Sequence, residues 1–330
     1  MGTVASAQLR VYQAPRIVAA LQTQVIHRTG DRNFQVSCTA VAKPRPSVTW
    51  LKDGIPLDPS SPEDRGFYKI ETQDVDIKKG AYTVNSTLYF SGVNRKENAI
   101  MAQDRGYYTC VLENEVKKEE SHMYLRVQHK PIFQREVEME IMDRAAFDIG
   151  DTAYIPCRVQ AFPKPEFEWS FNSLMLNIDA KHARPYEHNL TILANDVYVS
   201  TLIVPGVHAD DYGEYKCRAS NSMGNATNVI MLQERGRPSP PVIVKVVDTE
   251  ISSVLVEWIP GFTGGYEDTS YVVNYMANDG ISRDFDCQNY NPCNITGLEQ
   301  QTSYVFRVSF LIILCISVLL IAVGGLTNFS

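Results

Sequence analysis

Catalytic motifs are missing from this sequence. Histidine is scarce, six in 330 residues, and scattered at His27, His122, His129, His182, His188 and His208. No H-E-x-x-H, G-x-S-x-G, P-loop or G-x-G-x-x-G occurs, so the side chains these chemistries need are not brought into register. No catalytic residue and no cofactor is expected. No C-x-x-C occurs either, which removes the usual zinc spacings, and no metal site is expected. A basic excess is also lacking. Lys and Arg number 31 against 38 Asp and Glu, a net charge of −7, so no face for nucleic acid or anionic lipid is expected. Met1 to Gln24 lacks the basic start and continuous apolar core of a secretory signal peptide.

What is there suits folded modules: 44% hydrophobic and 21% charged residues, in a length that accommodates two or three domains. Two stretches repeat one pattern. The first has Cys38, then Trp50 twelve residues on, then Asp104-Arg105-Gly106-Tyr107-Tyr108-Thr109-Cys110. The second has Cys157, then Trp169 twelve residues on, then Asp211-Tyr212-Gly213-Glu214-Tyr215-Lys216-Cys217. Between Cys and Trp, Ala42 to Trp50 aligns without gaps to Ala161 to Trp169, with two prolines in each turn where no ladder hydrogen bond is required. A repeat of this length argues against one large domain.

The Cys…Trp…Cys spacing is that of the immunoglobulin sandwich. That likeness implies one Cys on strand B, the other on strand F, and a bridge joining the two sheets at Cys38–Cys110 and Cys157–Cys217. It implies Trp50 and Trp169 packed on the sulfurs, and Tyr108 and Tyr215 bonded back to the backbone at the E–F corner. The fold class expected is all-β: tandem immunoglobulin-like sandwiches, then a truncated fibronectin type III sandwich and a C-terminal hydrophobic helix.

Residues 15–128 are expected to form the first immunoglobulin-like domain and 129–234 the second. The short connection Gln128-His129-Lys130-Pro131 favours a stiff, extended rod. The charged stretch from Asp53 to Lys79 leaves room for extra edge strands or a large loop. Met1 to Val11 resemble Met223 to Leu232, the last hairpin of the second domain, and residues 1–14 are expected to be the remnant strand of an upstream domain. The sequence is accordingly expected to be a piece of a longer array.

Arg235-Gly236-Arg237-Pro238-Ser239-Pro240-Pro241 reads as a linker. After it come Val254 to Trp258, Pro260-Gly261-Phe262-Thr263-Gly264-Gly265, Tyr271 to Tyr275, and Leu298 followed six residues on by Tyr304. Residues 237–309 resemble a fibronectin type III domain, with Trp258 in the core and Tyr304 as corner tyrosine. Cys287 and Cys293 are expected to form a local bridge, since two lone thiols outside the cell would be unusual. The seventh cysteine, Cys315, lies in an apolar run and is expected to be a free thiol. That run, 310–326, carries no charge over 17 residues and stands at the short limit of a membrane span. It is expected to be a transmembrane helix, with no strand G and therefore an open edge in the third module. A foreign tail on a truncated product is the other reading.

Asn85, Asn189, Asn225 and Asn294 each open an N-x-Ser/Thr sequon and are expected to carry glycans if the chain enters the secretory path. Asp210-Asp211 is expected to be a turn carboxylate pair at the E–F corner. Lys117-Lys118-Glu119-Glu120 is expected at a solvated hairpin tip, with a charged contact patch as the other reading. Tyr68, Tyr82, Tyr89 and Tyr124 either pack a sheet or form an aromatic contact face.

Gly150 to Tyr154, Val159 to Phe167, Asn195 to Ser200, Asp211 to Tyr215, and Phe285-Asp286-Cys287 with Asn291-Pro292-Cys293 resemble immunoglobulin-superfamily cell adhesion molecules, insect members above all. The resemblance implies a single-pass protein of the cell membrane with its modules outside the cell. It implies partners that are other cell-surface immunoglobulin-superfamily proteins, the same or related, and modulation of growth-factor receptor signalling. The membrane-distal domains and cytoplasmic tail of that family find no counterpart here, which leaves a decoy or ligand-capturing receptor fragment as the alternative.

Overall fold

The computed structural model describes residues 11–78, 80–133, 136–137, 140–141, 143–176, 186–241, 243–267, 269–312 and 322–328. The chain divides into two units, Met1–His129 and Lys130–Ser330.

The first unit is one sandwich. Strands β1 (Gln13–Ala19), β2 (Gln24–Arg28), β3 (Gln35–Lys43), β4 (Ser47–Lys52), β5 (Ile55–Pro56), β6 (Lys69–Lys78), β7 (Ala81–Tyr89), β8 (Gly106–Glu113) and β9 (Lys118–Phe133) follow in order. One sheet runs β1-β3-β7-β6; the other runs β5-β4-β8-β9, with β2 parallel on β9. Alternation along β3 and β8 buries every second side chain, which is the period of two a half-buried strand requires. Cys38 on β3 is bridged to Cys110 on β8. Trp50, Leu88, Phe90, Tyr108 and Leu125 close the core around the bridge. The Asp53–Lys79 stretch folds as β5, a single helical turn α1 (Pro62–Arg65) and β6. Ser61 caps that turn by accepting from the Asp64 amide, and Pro62 supplies the pre-set φ of a first helical position. Of the expected remnant strand, residues 1–10 lie outside the described residues, and Gln13 already pairs with Lys43 as the start of β1. Residues 128–131 fall inside β9.

The second unit begins with the last residues of β9, from Lys130; the two-residue strands β10 (Glu136–Val137) and β11 (Glu140–Ile141) come next, followed by two sandwiches. The first of these consists of β12 (Arg144–Ala146), β13 (Ala153–Phe162), β14 (Glu166–Phe171), β15 (Leu174–Met175), β16 (Glu187–Leu193), β17 (Val197–Val204), β18 (Gly213–Asn221) and β19 (Gly224–Gln233). Its sheets are β16-β17-β13 and β12-β19-β18-β14-β15. Cys157 and Cys217 bridge them beside Trp169 and Tyr215.

The third sandwich packs β20 (Ile243–Thr249), β21 (Ser253–Ile259), β22 (Thr269–Met276), β23 (Ser282–Gln288), β24 (Cys293–Thr296), β25 (Ser303–Ile312) and β26 (Ala322–Asn328) into sheets β20-β21-β24 and β23-β22-β25-β26. Trp258, Tyr304, Phe306 and the bridged Cys287–Cys293 lie in its core.

Here the structure corrects the expected C-terminal helix and the missing last strand. Phe310–Ile312 continue β25 and pair with Thr269–Tyr271. Ala322–Asn328 form β26, which covers the other edge of β25 from Ser303↔Asn328 to Val308↔Ala322. Residues 313–321, including Cys315, lie outside the described residues. Among the described residues no helix is long and apolar enough to cross a membrane. The physical reason is the edge itself: β25 presents unpaired N–H and C=O groups that a neighbouring strand satisfies. Gly324-Gly325 adds to this, each glycine costing a helix about 1 kcal/mol relative to alanine.

Candidate recognition surface

The D-x-G-x-Y-x-C motif positions the surface as well as the core. Tyr108 Oη donates to the Asp104 carbonyl at 2.8 Å, and Tyr215 Oη to the Asp211 carbonyl at 2.9 Å. Tyr304 works the other way, its hydroxyl accepting from the Glu299 amide at 2.9 Å. The turn carboxylates are structural: Asp104 accepts from the Met101 amide and Asp211 from the His208 amide, each at 2.7 Å. The motif glycine has its own reason. Gly106 has φ +153°, and a Cβ there would meet the Asp53 carboxylate at 2.6 Å. That carboxylate in turn accepts from the Tyr107 amide at 2.8 Å, tying the β4–β5 hairpin to the start of β8.

Both Trp indoles of the bridged domains donate to a serine on the facing sheet, Trp50 to Ser86 at 3.0 Å and Trp169 to Ser200 at 2.9 Å. The third ligand differs. Ser86 Oγ lies 2.8 Å from Thr72 Oγ1, whereas Ser200 Oγ lies 2.7 Å from His188 Nε2. His188 is exposed at its outer edge, and the partial burial of its ring against Ser200 holds it below the ordinary histidine value. Trp258 has neither arrangement, and its indole N–H is buried without a hydrogen-bond partner among the described residues.

The first domain also holds a buried ion pair that the sequence reading did not single out. Arg95 donates to both Asp104 carboxylate oxygens, at 2.6 and 2.5 Å, with both side chains fully buried. It also donates to the carbonyls of Phe67 and Ala99 and stands over the rings of Phe67, Tyr68 and Phe90. Burial alone would lower the guanidinium; the hydrogen bonds and charge of Asp104 outweigh it and hold Arg95 above its ordinary value. The Tyr68 hydroxyl, 3.3 Å from that of Tyr108, is pushed up to about 12 by burial.

Outward from this core, β8 and β9 carry the surface patch. Tyr107 stacks on Tyr124 with ring centroids 4.4 Å apart, and the two residues are direct cross-strand partners. Arg105 donates to the Tyr124 hydroxyl through Nε at 3.0 Å and Nη2 at 2.8 Å, and its guanidinium stands 5.9 Å from that ring. Tyr107 is 61% exposed. One step along the strands, Thr109 and His122 share a 3.0 Å hydrogen bond. The short strand beyond each Trp strand also shows a large apolar side chain to solvent: Ile55 is 71% exposed and Leu174 74%.

The four tyrosines considered together in the sequence are not brought together. Tyr68 is in the core; Tyr82 lies half-buried on β7; Tyr89, also on β7, lies beneath Lys69 and donates to Glu71 of the neighbouring strand β6, in the sheet away from β8 and β9. Tyr124 alone joins the patch, with Tyr107, which the reading missed. Its signal was available: in a two-residue period, the residue next to the corner Tyr108 points outward. Lys117 and Lys118 pair with Glu119 and Glu120 at 2.5 and 2.6 Å on the β8–β9 hairpin. Of the sequon residues, Asn189, Asn225 and Asn294 are exposed, while Asn85 is half-buried and accepts from Thr39 at 2.9 Å. Among the described residues no three His, Cys, Asp or Glu side chains cluster as metal ligands.

Comparison with known proteins matches two segments to family descriptions: residues 14–114 to "Immunoglobulin domain" and residues 137–233 to "Immunoglobulin I-set domain". Neural cell adhesion molecule 1 of Gallus gallus is 26% identical over 92% of this chain and 26% of its own length. Fasciclin-2 of Schistocerca americana is 25% identical over 84% of this chain and 30% of its own. Nephrin of Mus musculus is 30% identical over 48% of this chain and 13% of its own. The chain thus spans about a third or less of these relatives. Among solved structures, titin Ig tandem domains A164-A165 match with a TM-score of 0.43 at 21% identity, over 68% of this chain and 97% of that one. A complex of Dpr2 Ig1-Ig2 with DIP-Theta Ig1-Ig3 matches with a TM-score of 0.44 at 20% identity, over 68% of this chain and 65% of that one.

Proposed function

We propose that this chain, a member of the immunoglobulin superfamily, is a segment of a cell-surface adhesion and recognition protein whose partners are other immunoglobulin-superfamily proteins, the same or related. The observation that carries this reading is the contrast between the two sides of β8 and β9. Inward they build a closed, bridged core; outward they present stacked Tyr107 and Tyr124 with Arg105 across them. Tyrosine and arginine offer large contact area with polar tips and dominate protein–protein hot spots. Affinity per contact is then low, and strength comes from many copies meeting at once. The names of the relatives, neural cell adhesion molecule 1 and Fasciclin-2, agree with adhesion and do not favour the decoy reading.

The finer parts of the reading belong to the same proposal. The modules face the outside of the cell at its membrane. Asn85, Asn189, Asn225 and Asn294 carry N-glycans, the last three on exposed strand positions. The three-plus-four strand arrangement of the third sandwich, with Trp258 and the corner Tyr304, supports its reading as a fibronectin type III module. The motifs around Gly150 to Tyr154 and Asp211 to Tyr215 support a likeness to the insect adhesion molecule echinoid.

The test is aggregation of beads coated with the purified, oxidised chain. We expect clustering, lost on replacing Tyr107→Ser and Tyr124→Ser together, with an affinity loss worth about 2 kcal/mol for a hot-spot pair. Binding of a soluble growth factor without clustering would instead establish the decoy alternative.

A further inference from the structure

We infer that residues 235–241 and the glycine-rich loop 261–265 form a docked joint that fixes the third sandwich on the second, with Arg235 as its latch. By composition, 235–241 is a free connector. The structure buries Pro238 and Pro241 and bonds the segment on both sides. The Gly236 amide donates to Gly264 O at 3.1 Å and the Ser239 amide to Phe262 O at 2.8 Å. Arg235 Nε donates to Gly265 O at 3.2 Å, while Nη1 reaches Asp148 at 3.0 Å and Asp151 at 2.8 Å. Its guanidinium also stands 6.0 Å from the Phe147 ring. One side chain therefore holds the third module's loop and the second module's β12–β13 turn together. Arg144 adds a second link, 5.8 Å over Phe262 and 3.5 Å from Ser239 Oγ.

The loop's glycines explain themselves through this docking. A Cβ at Gly261 would run into the carbonyl oxygens of Ser239 and Pro240. At Gly264 it would run into Gly236 O, and at Gly265 it would stand 2.6 Å from Ala146 O. Gly264 and Gly265 also have positive φ, but Gly261 does not, so close approach alone accounts for glycine there. Gly280 and Gly297 are the comparison within the same module: both have positive φ and nothing within 4 Å. The motif Gly261-x-x-Gly264-Gly265 is thus a docking feature, independent of whatever the outer surfaces bind. A cleft of about 460 Å³, lined by Arg144, Phe147, Tyr154, Phe262 and Tyr266, lies along the joint.

The test uses the full chain. Trypsin can cut Arg235–Gly236 only when the joint opens, and such scission follows the open population. We expect slow scission there by mass spectrometry, and one common rotational correlation time for amides of the second and third sandwiches. Asp148→Asn with Asp151→Asn removes the latch's two ion pairs without steric change, and Gly261→Ala wedges the joint. Each should speed scission by about tenfold or more and separate the two correlation times. Gly280→Ala, strained but remote from the joint, should do neither. Equal scission rates in the wild type and both joint variants, or independent tumbling in the wild type, would overturn the inference; the Asn pair keeps it falsifiable if Gly261→Ala fails to fold.

Discussion

The two immunoglobulin sandwiches share a skeleton and differ in how they treat polar groups inside it. Each bridges β-sheets through Cys, covers the bridge with Trp, and satisfies the indole with a serine. The first holds a fully buried Arg95–Asp104 pair at its E–F corner, with the arginine over three aromatic rings. The first completes its indole–serine chain with Thr72, which does not titrate, and the second with His188, which does. The lesson is that the repeated positions set the frame, and the positions between them set how each domain responds to mutation and to pH.

The largest way to break the comparison is Asp104→Ala. It strands Arg95 in the core and should cost the first domain about 3–5 kcal/mol. Urea unfolding followed by near-UV signals would read this. Asp211→Ala removes the matching turn hydrogen bond from the second domain, worth at least about 1 kcal/mol. A loss of about 1 kcal/mol or less from Asp104→Ala would remove the ion pair from the first domain's account.

A smaller effect separates the third sandwich from both. The bridges at Cys38–Cys110 and Cys157–Cys217 close separations of 72 and 60 residues, worth about 4 kcal/mol each by chain entropy. Cys287–Cys293 closes only 6, worth about 2 kcal/mol. Replacing Cys287→Ser with Cys293→Ser should therefore lower the third module's unfolding midpoint by roughly half of what Cys157→Ser with Cys217→Ser takes from the second, by scanning calorimetry.

The smallest effect is pH. Burial lowers the His188 value in the folded state, so the unfolded chain binds the proton more readily. The second domain's stability from this group is complete above the ordinary histidine value of 6.5 and is lost as pH falls below it. Thr72 gives the first domain no such slope. His188→Gln should flatten the second domain's stability between pH 7 and 5, measured by denaturant titration; an unchanged slope would remove His188 from the account.

Legibility followed sequence distance. The spacing from Cys38 to Trp50 to Cys110 was readable because strand geometry converts a residue count into a position on a sheet. Arg95 was not, because its identity as a core cation depends on Asp104 and on the Phe67, Tyr68 and Phe90 rings arriving from separate stretches of the chain. The ends of the run 310–326 misled for a related reason: apolar composition suits a membrane helix and a strand alike, and periodicity cannot separate them.

From sequence alone, this protein was legible as all-β with its first two sandwiches each bridged between sheets, since period-two alternation and fixed Cys–Trp–Cys intervals are local properties of a strand. Only the tertiary structure decided that Tyr107 stacks on Tyr124, that β26 covers β25, and that Arg235 joins Asp148 and Asp151 to Gly265. Each of these depends on which backbone edges and side chains meet across a sheet or between modules, and no single stretch of chain carries that information.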